Sequence, residues 1–337
     1  MGPRSTLRRA AAAIALLSAA ALTATACSSS GGASPSSSEQ PVSLRLDFIH
    51  TGKDAIWTYG IEQGYFKKEG ISLNIEDGKG SATTAQTVSN NSDNFGLVDG
   101  GTWLTAASKG LGGKAVMSVF DGGSFAILSP KSAPITSFSQ LVGKKVAITA
   151  GDGPSTLLPA VLEKAGVDKS KVTEVSMQPG PKLTALATGS VDAVATTILV
   201  QATLQAKGTA TDALMYSSAG INTPGWYLVA SPDELNSHKD LVQKFVTAAQ
   251  ESVDATLANP GAAIDSFVKA YPDYDKTRAR NELDLVLPLV KTDAAKGHPT
   301  GWISPSAATA ALALLKQYGN VPGDKPATDF VTDEFIK

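Results

Sequence analysis

The sequence predicts an α/β protein made of two doubly wound lobes, and three observations support this fold class. Short apolar runs alternate with helical patterns, which is typical of β-α-β units and a parallel sheet. The alternation occurs twice, and extended apolar stretches separate the two sets. The chain of 337 residues is also long enough for two lobes that each bury a core.

The first set of elements predicts the sheet of lobe 1. We predict strands at residues 43–49, 71–77, 94–99 and 114–120. A helix is predicted from Ala55 to Lys68, because its apolar residues recur at helical spacing and Gly70 follows as a C-cap glycine.

The second set predicts lobe 2, with strands at 146–149, 172–177 and 193–198 and helices near 155–165 and 181–188. Two apolar stretches, 125–130 and 226–232, each end in Ser-Pro and are interpreted as strands that cross between the lobes. Lobe 1 is therefore predicted to comprise residues 42–130 plus 226–337, and lobe 2 residues 131–225. An apolar stripe along residues 241–257 predicts a packed helix. Paired crossings form a hinge that can close around a ligand.

The N-terminal segment has the three parts of a secretory signal. A basic start precedes an apolar run at residues 10–22 and small residues at 24–26. The run is shorter than the about 20 apolar residues that span a membrane. The stretch from Ala24 to Cys27 resembles a bacterial lipobox, in which diacylglycerol alkylates the cysteine and residues 1–27 form a lipoprotein signal.

A tether follows this segment, because residues 28–41 are nearly all Ser, Gly and Pro and cannot bury a core. We therefore expect Cys27 to be lipidated and the protein to be extracytoplasmic, anchored to the cell membrane. The alternative is an ordinary signal cleaved near Ala26, with Cys27 left as a free thiol.

Composition excludes several classes of function. The formal net charge is −2 and only 18% of residues are charged, so no broad basic field is present to hold nucleic acid. The three histidines lack the spacing of a metal pair, and Cys27 is the only cysteine. We expect no metal site, no cofactor, and a small molecule or a protein as the partner.

Four segments carry a resemblance to a known family: EQGYFKKEGISLNIEDGKGS (62–81), FGLVDGGT (95–102), FSQLVGKKVAIT (138–149) and LATGSVDAV (186–194). In this order and spacing, residues 43–290 are similar to the solute-binding proteins of ABC importers for sulfonates, taurine, nitrate or thiamine-pyrimidine precursors. The resemblance implies a type II periplasmic-binding-protein fold. It also implies a monomer that closes on a small molecule and delivers it to permease and ATPase subunits.

Candidate ligand-binding residues lie in the loops after the predicted strands, because open α/β sheets bind ligands at the carboxyl ends of their strands. Glycines in these loops let a backbone approach a ligand, and helix starts offer free N–H groups. The alternative for any one loop is an ordinary turn. The candidates are His50, Thr51, Trp57, Lys79, Ser81, Asp99, Thr102, Trp103, Asp121, Asp152, Ser155, Thr156 and Trp226.

The four tryptophans bear on the class of ligand. Trp57 and Trp103 fall beside predicted cleft loops, Trp226 falls at a crossing strand, and Trp302 lies elsewhere. A flat aromatic face suits a planar ring. The alternative is that each tryptophan is packed in the core of a lobe or at the hinge.

Carboxylates in the same loops suit a ligand with amino or amidine-like donors and oppose a bare anion, unless Lys53, Lys79 or Lys182 offsets them. We therefore expect a planar heteroaromatic or aromatic ligand, such as a thiamine pyrimidine precursor. Alkanesulfonate, taurine or nitrate is the alternative.

Two further classes of function have to be weighed. An enzyme is disfavoured because the chain has no G-x-S-x-G elbow, and because no cysteine beyond Cys27 could supply the cysteine-rich motif of the related pyrimidine-synthesis enzyme. We expect no catalytic residue. An extracytoplasmic sensor would use the same cleft, and an adjacent kinase gene would distinguish it from an importer component.

Overall fold

The computed structural model describes residues 39–337. The predicted signal at residues 1–27, the lipidation of Cys27 and residues 28–38 of the predicted tether lie outside the described residues. Gln40 and Pro41, which we expected to end the tether, instead begin the first strand. These residues pair with the chain that leads into the second strand, where Gln40 N donates a 2.8 Å hydrogen bond to the oxygen of Gly70.

The described residues form ten strands and twelve α-helices. The strands are β1 (Gln40–Arg45), β2 (Ile71–Glu76), β3 (Phe95–Asp99), β4 (Lys114–Gly122), β5 (Phe125–Pro130), β6 (Lys145–Ile148), β7 (Thr173–Ser176), β8 (Ala193–Thr197), β9 (Thr211–Met215) and β10 (Pro224–Ala230). The helices are α1 (Ala55–Glu62), α2 (Tyr65–Lys68), α3 (Ser81–Ser89), α4 (Gly100–Ser108), α5 (Gly153–Lys164), α6 (Pro179–Ala187), α7 (Val200–Ala206), α8 (Pro232–Ser237), α9 (Lys239–Ala258), α10 (Pro260–Ala270), α11 (Lys276–Val286) and α12 (Pro305–Gly319). Within residues 39–337, no helix has both the length and the apolar character needed to cross a membrane.

The strands form two five-stranded sheets, which define lobe 1 and lobe 2. The sheet of lobe 1 has the order β2-β1-β3-β10-β4, and that of lobe 2 has the order β7-β6-β8-β5-β9. In each lobe three neighbouring strands are parallel, as the β-α-β pattern predicts. One strand, β10 or β5, is antiparallel to its neighbours because it has just entered from the other lobe. Both sheets are therefore mixed rather than purely parallel.

The crossings between the lobes lie earlier in the chain than the sequence predicts. Residues 125–130 are not a crossing strand but β5, which pairs with β8 and β9 inside lobe 2. The first crossing is therefore at Gly123 and Ser124, and the second reaches lobe 1 at Pro224. The crossings pack closely, since a Cβ on Gly123 would lie 2.3 Å from Thr223 Oγ1 and a Cβ on Gly225 2.4 Å from the oxygen of Gly122.

Helices cover both faces of the lobe 1 sheet. The stripe on α9 is buried as predicted from Leu241 to Val253, whereas Leu257 is exposed. Phe245 of α9 stacks on Phe95 of β3 at 4.0 Å between ring centroids. The helix predicted from 55 to 68 is broken into α1 and α2, because Gly64 takes a left-handed conformation with φ of 77°.

Helix α12 packs on both lobes. Its residue Leu315 belongs to the core of lobe 1, whereas Leu314 and Tyr318 pack against the core of lobe 2. The Tyr318 hydroxyl donates a 2.5 Å hydrogen bond to Glu163 Oε2 of α5. Helix α12 therefore joins the lobes in addition to the two crossings.

Candidate functional site

The carboxyl ends of the parallel strands in each lobe face the other lobe. Strand β4 runs parallel to β3 and leads directly into lobe 2, and β9 runs parallel to β8 and leads back to lobe 1. The loops after β1, β2 and β3 therefore lie opposite the loops after β6, β7 and β8. This is the crevice where open α/β sheets place ligands.

Three candidate residues of lobe 1 come together at the ends of β2 and β3. Asp99 caps α4 and accepts hydrogen bonds from the backbone nitrogen and hydroxyl of Thr102, at 2.9 and 3.0 Å. Ser81 Oγ accepts a 3.1 Å hydrogen bond from Asp99 N. Burial raises the pKa of the Asp99 carboxyl to about 6, against the lowering effect of the hydrogen bonds from Thr102.

Lobe 2 repeats this arrangement after β6. Asp152 caps α5 by accepting a 2.8 Å hydrogen bond from Ser155 N, and Ser155 Oγ accepts one from Thr149 N at 3.0 Å. The buried Lys182 lies 3.3 Å from the second carboxylate oxygen of Asp152. Thr156 faces α12 instead, because a Cβ on Gly319 would lie 3.2 Å from its methyl carbon.

The two capping carboxylates affect the charge that a ligand would meet. Asp99 and Asp152 each place a negative group at the positive end of a helix that begins at the interlobe face. Both also use backbone N–H groups that an anion would need. An anionic ligand group is therefore disfavoured at these two helix starts.

A buried ion-pair network underlies the loop after β1. Lys53 Nζ lies 2.7 Å from Asp47 Oδ1 and 2.8 Å from Asp54 Oδ1, and its side chain is 2% exposed. Burial alone would lower the pKa of Lys53, but the attraction of the two carboxylates outweighs it and the pKa is raised. Trp226 donates from Nε1 to the other oxygen of Asp47, at 2.8 Å.

The remaining polar candidates have separate environments. His50 Nδ1 lies 2.9 Å from Asp77 Oδ1, and its ring stacks on Tyr271 at 3.8 Å. Thr51 forms hydrogen bonds with the carboxylate of Asp54. Lys79 is exposed in the loop after β2.

Asp121 lies at the crossings. It accepts a hydrogen bond from the Thr292 hydroxyl and lines a cavity of about 630 Å³ that both crossings border. None of its lining residues belongs to the separate cavity that lies between Phe48 and Leu199.

Two tryptophans are not at the site, which corrects the sequence prediction. Trp57 is 1% exposed in the core between β1 and α9, and Trp103 is 0% exposed under α12. The Trp103 indole donates a 2.8 Å hydrogen bond to the oxygen of Phe330, so its one polar atom is already satisfied. Both side chains stabilise lobe 1 and present no surface to a ligand.

An interlobe cavity of about 290 Å³ lies between the loop after β1 and the end of β8. Lobe 1 contributes Phe48 and Ile49, which are 54% and 53% exposed and belong to the few large apolar side chains exposed in residues 39–337. Lobe 2 contributes Leu199 and Val200. The remaining lining residues are Asp47, Thr51, Lys53, Thr197, Thr203, Trp226, Arg278 and Glu282.

Most residues of this cavity are not predicted from the sequence, which indicates only Thr51 and Trp226 as ligand-binding candidates and Lys53 as a possible counter-charge. The sequence predicts Phe48 and Ile49 in a strand at 43–49, but β1 ends at Arg45. Hydrogen bonds from Gly80 N to the oxygen of Asp47 and from Gly78 N to that of Phe48 then hold the loop in place. The sequence feature that could have indicated this part of the site is the apolar pair Phe48 and Ile49, directly before the polar stretch that starts at His50.

Comparison with known protein families shows to which family the chain belongs. Residues 55–263, more than half of the chain, match the family model described as NMT1/THI5 like. The chain belongs to the NMT1/THI5-like family. This confirms the family resemblance carried by the sequence segments.

Individual relatives of this NMT1/THI5-like protein are distant. The riboflavin-binding protein RibY of Chloroflexus aurantiacus is 24% identical over 306 residues, covering 88% of this chain and 86% of that protein. The putative binding protein BAB2_1146 of Brucella abortus is 23% identical over 249 residues, covering 72% of this chain and 76% of that protein.

The fold is shared with solved structures. The alkanesulfonate-binding protein SsuA of Xanthomonas axonopodis, bound to MOPS, gives a TM-score of 0.63 at 15% identity and covers 87% of this chain and 98% of that one. The CA3427 gene product of Candida albicans, which exhibits the generic periplasmic binding protein fold, gives 0.61 at 15% identity and covers 88% and 98%. The two-lobed binding-protein fold expected from the sequence is confirmed.

Proposed function

We propose that this NMT1/THI5-like protein is the extracytoplasmic solute-binding component of an ABC importer. In this proposal the lobes close on a small planar heteroaromatic molecule, and the closed monomer docks on a membrane permease that is driven by an ATPase. Lipidated Cys27 holds the protein at the membrane. The fold and the binding proteins among the relatives support this role.

The observation that carries the proposal is the interlobe cavity. Its volume of about 290 Å³ is just below the roughly 300–1,000 Å³ that is typical of small-molecule sites. Because Phe48 and Ile49 come from lobe 1 and Leu199 and Val200 from lobe 2, a ligand gains both sets of contacts only when the lobes are close. Such differential contact is what shifts a hinged protein towards its closed form.

The charges around the cavity support an uncharged ligand. Lys53 and Arg278 are the cations among the lining residues, and each is paired, Lys53 with Asp47 and Asp54 and Arg278 with Glu282. No lining cation is therefore left to neutralise a sulfonate. A planar ring can instead use the apolar rim and the edge of Trp226. The relative RibY is named for riboflavin, which is a planar heteroaromatic molecule.

An anionic solute is the second candidate, and one observation favours it. Helix α3 begins at Ser81 without a side-chain cap, next to the exposed Lys79. A helix start and a lysine together can bind an anion. The fold neighbour SsuA from Xanthomonas axonopodis is an alkanesulfonate-binding protein.

A thermal-shift panel distinguishes the two candidates. The panel contains riboflavin, the hydroxymethyl-pyrimidine of thiamine, taurine, ethanesulfonate and nitrate. We expect riboflavin or the pyrimidine to raise the melting temperature, because a ligand at 100 times its Kd stabilises a folded protein by about 2.7 kcal/mol. Taurine, ethanesulfonate and nitrate, which each carry an anionic group, are expected to leave it unchanged. A rise with taurine or ethanesulfonate alone would contradict the heteroaromatic proposal and support the second candidate.

A further inference from the structure

Three side chains at the junction of α8 and α9 form a compact cluster far from the interlobe face. Asp233, Glu234 and His238 each present one ligand atom, and these atoms all lie within 4.8 Å of one another. Ser231, just before them, donates from its backbone to the oxygen of Asn94, which precedes β3. The cluster therefore lies at the amino ends of the lobe 1 strands, opposite the cleft.

Glu234 has an unsatisfied oxygen in this cluster. Its side chain is 5% exposed, and among residues 39–337 its Oε2 has no hydrogen-bond partner. Buried polar atoms are hydrogen-bonded in the great majority of cases, and an unpaired carboxylate oxygen is costly. The unsatisfied oxygen is 3.5 Å from His238 Nδ1. An additional group is expected there.

The other oxygen of Glu234 is held firmly. Glu234 Oε1 accepts a 2.6 Å hydrogen bond from Asn94 Nδ2, and Asn94 Oδ1 accepts hydrogen bonds from the nitrogen and hydroxyl of Ser43 at 2.9 and 3.1 Å. Carboxylates that bind metals are oriented by such supporting hydrogen bonds. His238 follows Glu234 by four residues, which places both on one side of a helical turn.

The distances discriminate between two explanations of the cluster. A protonated His238 that donated directly to the carboxylates would lie about 2.7–3.2 Å from their oxygens. The observed separations are longer, at 3.5 Å to Glu234 Oε2 and 3.8 Å to Asp233 Oδ2. Ligand atoms around a tetrahedral zinc ion, with bonds of about 2.0–2.2 Å, are about 3.4 Å apart. The two separations from His238 are thus too long for direct hydrogen bonds and close to the spacing of ligands around an ion.

We propose that Asp233, Glu234 and His238 bind a divalent transition-metal ion, with zinc as the best fit. Two carboxylate oxygens and one imidazole nitrogen suit zinc, whereas calcium and magnesium take oxygen ligands only. Water completes the coordination, since Asp233 and His238 are 57% and 48% exposed. The absence of a metal site predicted from the sequence rests on the spacing of the histidines and on the single cysteine, whereas this site takes two of its ligands from carboxylates.

The test is zinc binding by the full-length protein and its histidine variants. Competition with a chromophoric zinc chelator should show one zinc ion per chain for the unaltered protein. His238→Ala should weaken this binding at least about tenfold, because one of three protein ligands is lost. His50→Ala and His298→Ala, which change the two histidines outside the cluster, should bind zinc like the unaltered protein.

Three further measurements complete the test. The circular dichroism spectra of all variants should match that of the unaltered protein. Glu234→Gln, which keeps the shape of the side chain, should also lose zinc binding. Cobalt(II) should give visible absorption bands with the unaltered protein and lose them in His238→Ala. Zinc binding of unchanged affinity in His238→Ala, or no saturable binding by the unaltered protein, would overturn the proposal. Neither result bears on ligand capture in the cleft.

Discussion

Replacing Lys53 by methionine is expected to lower the free energy of unfolding by about 3–5 kcal/mol, because the change leaves buried carboxylates without their cation. Lys53 is 2% exposed and contacts Asp47 and Asp54, and Asp54 is equally buried. Methionine replaces the apolar part of the lysine side chain and is one heavy atom shorter, but it provides no charge. The cost therefore comes mainly from electrostatics rather than from a cavity.

Urea unfolding measures this change, and two comparisons make it specific. Lys79→Met removes the same charge from an exposed position and should stay within about 0.5 kcal/mol of the unaltered protein. Lys53→Met should regain stability as the pH falls. Burial raises the pKa of the Asp54 carboxyl, and without Lys53 no cation opposes that rise. Protonated Asp54 therefore favours folding, and the regained stability is lost again as the pH rises. A loss below about 1 kcal/mol would show that the network is not needed for stability.

Replacing Phe48 by alanine is expected to weaken binding of the most stabilising panel compound by about 2 kcal/mol, or roughly 30-fold. Phe48 is 54% exposed, so its ring is available to a ligand and contributes little to the core. The loop is held by hydrogen bonds from Gly78 and Gly80 to backbone oxygens, which the substitution leaves intact. The unfolding free energy should therefore stay within about 0.5 kcal/mol.

Isothermal titration calorimetry of Phe48→Ala measures this effect. Val142→Ala is the matched control, because Val142 is 47% exposed but lies before β6, away from the interlobe face. The control should bind the compound like the unaltered protein. Equal affinity in Phe48→Ala and the control would remove Phe48 from the site and place the ligand elsewhere in the cleft.

The lobes and most strands could be predicted from the sequence, because the spacing of apolar residues and the positions of turn residues depend directly on local structure. The position of the first crossing could not. The apolar run at 125–130 is buried on both sides in lobe 2, and a crossing strand would have the same composition. Pairing with β8 and β9 identifies it as β5, and pairing is a long-range property.

The candidate site shows the same limit at the level of single side chains. Thr102 and Trp103 are neighbours at the start of α4, but successive helical residues point about 100° apart. Thr102 binds the capping carboxylate at the interlobe face, so Trp103 faces the core. The contact between Lys53 and Asp47 likewise depends on the conformation of the loop after β1. The contact between Trp226 and Asp47 depends on the position at which β10 re-enters the sheet of lobe 1.

The distance between the lobes with and without ligand tests capture by closure most directly. Spin labels at Lys79→Cys and Gln178→Cys, in a chain that carries Cys27→Ser, would occupy exposed loops after β2 and β7. These strands are the sheet edges farthest from the crossings, so closure changes their separation most. Pulsed electron paramagnetic resonance should show a shorter and narrower distance distribution when the most stabilising panel compound saturates the protein. An unchanged distribution with the compound bound would contradict closure of the lobes around the ligand.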